Sequence, residues 1–356
     1  MKVLYYDLTY PIGHKYFDEK TIENLSKVSE LTVLCPENWY RTKTANVNYY
    51  YNAEELPFDK ASTRRIFFNA LHNTRIAKRI MVREQIDAVV IGKFDHFSMP
   101  IVVSLLGSKI PIFVIHHNEI DQLNVEGKKG KIKHIFFNLF KDKVIHCVLE
   151  DFIRDYLIKE EKIVTEHTCC WPHPVERDIN EYTNSGLYDC IGISTSNNQD
   201  YIRSICDDER LNQAIKGEGY HIILRSKDFN YDNGNLKVYT GWITDDEYKH
   251  YFENTKSVLI AFKNGYHYRV SASIFDAFSH NIPVLCTDIP LARYYRAKYP
   301  NICYIIQKSV VDGIKELKSY AYEEMKTQFA RFRYDHSDSC IQRRMRTDLE
   351  RVIGRK

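Results

Sequence analysis

The sequence predicts an α/β protein made of two doubly wound parallel-sheet domains facing each other across a cleft, with helices at the C-terminal end. Three observations predict this. The chain has 356 residues, room for two domains of about 150 residues each. Short runs rich in Val and Ile alternate with longer stretches of helical period, the rhythm of β-α-β units. That rhythm stops once, at CCWPHPVERDINEYTNSG (169–186), where Pro172, Pro174 and a polar run break the periodicity, and then resumes.

Before the break, the apolar runs 2–8, 30–35, 86–92, 110–117 and 143–149 read as strands, because they are short and end in polar or turn residues. Helical patterns fill 15–29, 62–84, 97–107 and 129–141 between them. After the break, runs 188–194, 220–226, 236–242, 257–262, 282–288 and 301–306 predict a second sheet of the same kind. From about 321 onward Phe329, Phe332, Ile341, Met345, Leu349 and Val352 recur among charged residues, the pattern of amphipathic helices. The expected domains are 1–172 and 173–325, with 326–356 packing back toward the N-terminal domain.

Composition narrows the class. Hydrophobic residues make up 44% and charged residues 27%, which excludes collagen-like and wholly disordered chains. Lys+Arg number 50 against Asp+Glu 47, a net charge of +3 that gives no reason to expect a nucleic-acid partner. The 9 cysteines form no C-x-x-C pair, so a reduced, cytoplasmic protein without structural zinc is expected. The opening residues MKVLYYDLTY read as a first strand, not a secretion signal, and the apolar stretch 101–115 is interrupted by Gly107, Lys109 and Pro111.

Several chemistries lack their usual signal. There is no P-loop, and the one G-x-G, at Gly217 and Gly219, precedes a strand. No G-x-S-x-G elbow, H-E-x-x-H helix or zinc-spaced His/Cys cluster occurs. The most informative stretch is NGYHYRVSASIFDAFSHNIPVLCTDIP (264–290). Gly265 permits a tight loop, Arg269 supplies a cation, and Ser271 and Ser273 open a helix whose N–H groups suit a diphosphate. One turn further on, Asp276 can accept hydrogen bonds from a ribose diol.

SIFDAFSHNIPVLCTD within this stretch resembles the donor-binding domain of GT-B glycosyltransferases, in particular the retaining E-x7-E group of bacterial polysaccharide and lipopolysaccharide enzymes. The resemblance places Asp276 on the ribose-binding acid of the motif. Tyr268 stands where the family has its first acid, and Arg269 with Ser271 resembles an R-x-S variant. It implies donor binding by Tyr268, Arg269, Val270, Ser271, Ala272, Ser273 and Asp276. VYTGWITDDEYKHYFENTKSVLIAF (238–262) is similar to the preceding strand, glycine and helix of the family, which would set Gly241 by the nucleobase, with Arg225 at the end of the strand before it. Gly192 and Ser194, in YDCIGISTSNN, stand at the family's phosphate loop.

In the N-terminal half, the resemblance implies that Gly13, after the first strand, approaches the transferred sugar, and that His116 or His117 contacts acceptor or sugar. A histidine there can exchange a proton with a hydroxyl near neutral pH. Residues 128–143 carry six Lys and one Asp around Ile132, Ile135, Phe136, Phe137, Leu139 and Phe140. Helical spacing predicts that 132, 135, 136 and 139 pack on the sheet while Phe137 joins Lys128, Lys129, Lys131 and Lys133 on an exposed face suited to an anionic membrane. Residues 60–83 repeat the pattern with seven Lys+Arg and no acid.

Together these readings predict a metal-independent, retaining, hexosyl-type glycosyltransferase. It would move a sugar from a nucleotide-diphosphate sugar, a substrate and not a cofactor, to a cell-surface glycan, with the protein cytoplasmic or peripheral on the inner face of the plasma membrane. The alternatives are a non-catalytic partner subunit of the same fold and a nucleotide-sugar epimerase related to it.

Overall fold

Alternate side chains of β1 (Lys2–Tyr6) enter two different cores: Val3 and Tyr5 join one apolar cluster, Leu4 and Tyr6 the other, and all four are fully buried. A strand buried on both faces reads as a continuous apolar run, and it needs helices on both sides of its sheet. The computed structural model describes residues 1–10, 15–52, 62–175, 186–263 and 266–354. The chain clusters into two compact units, one of 1–174, 268–270 and 336–356, the other of 175–267 and 271–335.

In the first unit, β1 is followed by α1 (Lys15–Ser26), β2 (Glu30–Pro36), β3 (Asn48–Asn52), α2 (Thr63–Glu84), β4 (Ala88–Ile91), α3 (Met99–Leu106) and β5 (Ile112–Ile115). Then come α4 (Glu119–Leu123), α5 (Lys128–Phe140), β6 (Ile145–Val148), α6 (Asp151–Lys159) and β7 (Thr168–Cys170). The seven strands pair in parallel in the order β3-β2-β1-β4-β5-β6-β7. One face is covered from α2, α3, α5 and α6 by Ala77, Val102, Phe137, Phe140 and Leu157. The other is covered from α1 by Phe17 and Ile22 and from the last helix by Ile341, Met345 and Leu349.

The second unit holds β8 (Cys190–Gly192), α7 (Gln199–Asp207), α8 (Glu209–Gly217), β9 (Ile222–Arg225), β10 (Tyr231–Asp232), β11 (Leu236–Tyr239), α9 (Asp245–Glu253) and β12 (Val258–Ile260). It continues through α10 (Ala272–Ser279), β13 (Val284–Cys286), α11 (Pro290–Lys298), β14 (Cys303–Ile305), α12 (Val310–Ser319) and α13 (Tyr322–Asp335). Strand order is β10-β11-β9-β8-β12-β13-β14, parallel except for the short β10–β11 pair. Ile202, Ile215, Ile314 and Leu317 pack on one face.

All eleven strands expected from the sequence are present; β3, β7 and β10 are additional. All three are edge strands, and NYYYN carries no alternation because Tyr49 and Tyr50 are only partly covered and Tyr51 is exposed. The tail expected as one block over 326–356 divides. Phe329 and Phe332 of α13 pack against Phe275, Phe278 and Tyr295 in the second unit, whereas α14 (Asp338–Ile353) belongs to the first.

Candidate functional site

In a doubly wound sheet, ligands bind beyond the carboxyl ends of the strands, where the strand order reverses. In the second sheet that point lies between β8 and β12. The loops leaving these two strands are 193–198 and 261–271, and the second opens α10. Asn197 ties them together: its Oδ1 accepts from the Ala261 N–H at 2.9 Å and its Nδ2 donates to the Gly192 carbonyl at 3.2 Å.

Ser194 lies in this first loop, its Oγ accepting from the Ser196 N–H at 3.3 Å. Gly192 has a packing reason instead: a Cβ there would lie 2.7 Å from Leu224 Cδ2, inside the sheet. Ser271 is the N-cap of α10, accepting from the Ile274 N–H. Ala272 and Ser273 follow in the first turn, whose N–H groups have no intrahelical partners and carry the positive end of the helix dipole. Asp276, one turn on, accepts from the Tyr248 hydroxyl at 2.6 Å. Tyr248 sits on α9 and was not singled out in the sequence; nothing in the spacing marks it.

At the same carboxyl edge, Arg225 ends β9 and Gly241 follows β11 with φ +116°, a left-handed turn that disfavours any side chain. The Arg225 guanidinium lies 5.8 Å from the ring of Trp242.

Arg269 is placed differently from the expectation of a phosphate-facing cation. Residues 268–270 cluster with the first unit, where Arg269 Nε is 2.8 Å from Asp121 Oδ2, and the Tyr268 N–H donates to Asp121 Oδ1. The Tyr268 ring stacks on Tyr156, centroids 3.7 Å apart, and Val270 packs on the first core. A carboxylate has claimed the cation.

In the first sheet the order reverses between β1 and β4. The turn after β4 is bare of side chain at Gly92, where a Cβ would collide with the Tyr5 hydroxyl and Asp7 Oδ1. Buried Asp7 and Asp18 flank this point, and Tyr5 donates to Asp18 Oδ1 at 3.1 Å. Burial first, then the neighbouring Asp7, pushes the Asp18 carboxyl well above the usual range. Beside them Lys93 and Glu119 form a fully enclosed ion pair, and Glu119 Oε2 also accepts from the His117 and Asn118 N–H groups. Burial alone would raise the Glu119 carboxyl, but Lys93 and His117 more than offset this and hold it well below the usual range. None of Asp7, Asp18, Lys93 or Glu119 belongs to a motif. Asp7 and Lys93 carry only the signal of a charge close after an apolar run, and Asp18 and Glu119 carry none.

The two histidines separate by strand alternation. His116 is 2% exposed, its Nε2 is 2.8 Å from His146 Nδ1, and burial followed by His146 drives its pKa well below the ordinary value. It therefore lies in the core and not at the surface, where the expectation sets a contact with acceptor or sugar. His117 is half-buried; its Nε2 donates to the Gly92 carbonyl at 3.0 Å, and its ring meets Phe17 edge-on at 4.5 Å. Gly13 and Gly265 lie outside the described residues.

α5 is turned opposite to expectation. Phe137 is fully buried with Phe140, and Ile132, Ile135 and Leu139 are exposed beside Lys128, Lys129 and Lys131. Both sides of the helix carry apolar residues, so the period alone does not choose, and the rings of Phe137, Phe140 and His96 fill the space under it. Lys133 is half-buried and donates to Gln122 Oε1 at 2.8 Å. Among the described residues no helix is long and apolar enough to cross a membrane, and no group of three or more His, Cys, Asp or Glu could hold a metal ion.

No family model matches the chain, and no curated protein matches it in sequence. Solved structures share its fold. Sucrose-phosphate synthase from Thermosynechococcus elongatus is 8% identical with a TM-score of 0.69, covering 100% of each chain. A glycosyltransferase from Rickettsia africae is 8% identical with a TM-score of 0.65, covering 100% of this chain and 99% of its own. The lipopolysaccharide outer core galactosyltransferase WaaB, in its apo form, is 12% identical with a TM-score of 0.57 over 98% and 99%. The two doubly wound α/β domains expected from the sequence, of GT-B type, are the fold the chain shares with these glycosyltransferases.

Proposed function

We propose that the protein is a glycosyltransferase that moves a sugar from a nucleotide-diphosphate sugar to a cell-surface glycan acceptor. The observation that carries this reading is a coincidence. The full-length fold likeness is to glycosyltransferases, and the reversal point of the second sheet is bordered by Ser194, Ser271, Ser273 and Asp276, the very positions that sequence resemblance assigns to the donor.

In this reading the bond between the anomeric carbon and the β-phosphate oxygen breaks with its electron pair going to the diphosphate, and the acceptor hydroxyl bonds to carbon and loses its proton. The departing negative charge is met by the first-turn N–H groups of α10 and by Arg225, which together replace a metal ion. Asp276, oriented by Tyr248, takes the ribose hydroxyls. Arg269 holds its loop through Asp121 and does not meet the phosphates. His117 donates from Nε2 to Gly92, so a role in accepting the hydroxyl proton falls on Nδ1. Retention of configuration belongs to this proposal on the motif resemblance alone.

A lipid-linked acceptor is supported by α5, where Ile132, Ile135 and Leu139 stand exposed among lysines with no acid in the helix. Such a face suits an anionic bilayer, which would hold the enzyme at the inner side of the plasma membrane.

A thermal-shift panel of UDP, GDP, CDP, ADP and their sugars, with and without EDTA, tests the donor assignment. A ligand that binds only the folded state raises the melting temperature by mass action. A selective rise with one diphosphate family that survives EDTA is expected. A rise with NAD(P) alone would reject the reading.

A further inference from the structure

All nine cysteines of the chain are buried and unlinked, and two of them meet closely. Cys147 on β6 and Cys169 on β7 are register partners in the first sheet, and the Cys169 thiol donates to Cys147 Sγ at 2.9 Å. Residues directly opposite each other on paired parallel strands point to the same face, and both sulfurs join the core cluster under α1 and α14. Neighbouring strands lie about 4.8 Å apart, inside the roughly 4.4–6.8 Å between Cα atoms that a disulfide spans. The other close pair, Cys286 and Cys303, has its sulfurs 4.0 Å apart but is out of register: Cys303 faces Val284, and Cys286 faces Ile305. That offset sets the two Cα atoms about 8 Å apart, beyond the roughly 7 Å limit of a disulfide.

Cys169 also borders a cavity of about 630 Å³ at the β7 edge of the same sheet, between α6 and α14. Arg154, Arg343, Arg344 and Arg351 line it against three acids, Asp151, Glu166 and Asp348, which leaves a surplus of positive charge. The Arg351 guanidinium is fixed over the strand, donating to the Glu166 and Thr168 carbonyls at 2.8 and 3.3 Å. Burial pushes both thiols above their ordinary pKa, with Arg351 acting the other way on each, so neither is a fast nucleophile at neutral pH. What favours a bond is proximity: once Cys169 has reacted, Cys147 attacks within the molecule.

We propose that Cys147 and Cys169 form a reversible intramolecular disulfide by exchange with a small anionic disulfide that enters the arginine-lined cavity. Cys169 gives up its proton, and its sulfur bonds to one sulfur of the reagent, whose S–S bond breaks with the electron pair leaving on the other sulfur. Cys147 then gives up its proton, bonds to Cys169 Sγ and expels the second thiolate. The two protein thiols are oxidised, the reagent is reduced to two thiols, and the two protons pass to the leaving sulfurs.

Full-length protein incubated with oxidised glutathione at about pH 8.5, where more thiolate is present, and mapped by peptide mass spectrometry tests this. The wild type should lose the mass of two hydrogen atoms and give one cross-linked peptide pair, Cys147 with Cys169, that dithiothreitol reverses. Cys147→Ser should stop at a glutathione adduct on Cys169. Cystamine, a cationic disulfide, should react several-fold more slowly than oxidised glutathione, and Arg343→Gln with Arg344→Gln should narrow that difference. Untouched thiols in the wild type, a glutathione adduct held on Cys170, or a Cys286–Cys303 link in place of this one would overturn the disulfide without reference to any variant. Equal rates for the two reagents would overturn entry through the arginine-lined cavity.

Discussion

Adjacent residues at the end of β5 have opposite fates. Ile115 enters the core under α1, so alternation sends His116 into the core under α5 and returns His117 to the first side, near Phe17. Burial pushes the His146 pKa down to about 4, and His116 lies well below the ordinary value. Both stay neutral in the fold while the unfolded chain takes up protons near pH 6.5. The unfolded state then binds more protons, so stability is full above that pH and falls as pH drops toward the folded values. His146→Gln should remove its share of this slope, up to about 1.4 kcal/mol per pH unit. Urea unfolding between pH 4.5 and 7 checks this; parallel slopes in the two proteins would show that His146 is not the group. Glu119→Gln leaves the Lys93 ammonium enclosed without a carboxylate and should cost about 3–5 kcal/mol of stability by the same measurement. Asp276→Ala should weaken nucleoside diphosphate binding by about 1–3 kcal/mol, as for lost hydrogen bonds to a charged group, read by calorimetry. Affinity unchanged there would remove Asp276 from the site.

Elements were legible where one period dominated. The six strands of the second half and the helices α1, α2, α3 and α5 of the first could be read because each is a short apolar run or keeps a helical apolar period. The face of α5 could not, since 132, 135, 136 and 139 make a stripe and 137 and 140 another, and only the rings waiting beneath decide between them. Arg269 shows a similar gap: its motif marks a cation near phosphates, but its partner Asp121 lies far away in the sequence and no local pattern names it. The loop before α10, the helix start and Asp276 could be read as one candidate motif because they are consecutive. Lys93, Glu119, Asp18 and Tyr248 were not, because their meaning comes from neighbours brought by the fold. At this scale α5 makes a paired prediction. Phe137→Ala should destabilise by about 3–5 kcal/mol, the cost of emptying a buried ring site. Ile135→Asp with Leu139→Asp should leave stability nearly unchanged and abolish sedimentation with anionic liposomes. Equal sedimentation would mean that this face does not meet membrane.

Across the whole chain, each unit repeats one architecture: a seven-stranded, mostly parallel sheet packed with helices, with the strand order reversing between its first strand and a later neighbour. The second reversal point is bordered by small hydroxyls, a helix start and one acid, the residues that the proposed donor site would use. The first is bordered by buried carboxyls, a buried Lys93–Glu119 pair and His117. Fold likeness to solved glycosyltransferases runs over nearly the full length of each chain. The direct test is turnover: incubate the purified protein with a panel of nucleotide sugars and membrane glycolipid extract in EDTA, and follow nucleoside diphosphate and glycan mass together. The account predicts release of one nucleoside diphosphate matched by a single added sugar on the acceptor, both lost in Asp276→Ala. Nucleotide that binds without any such release, in the presence of acceptor, would contradict it.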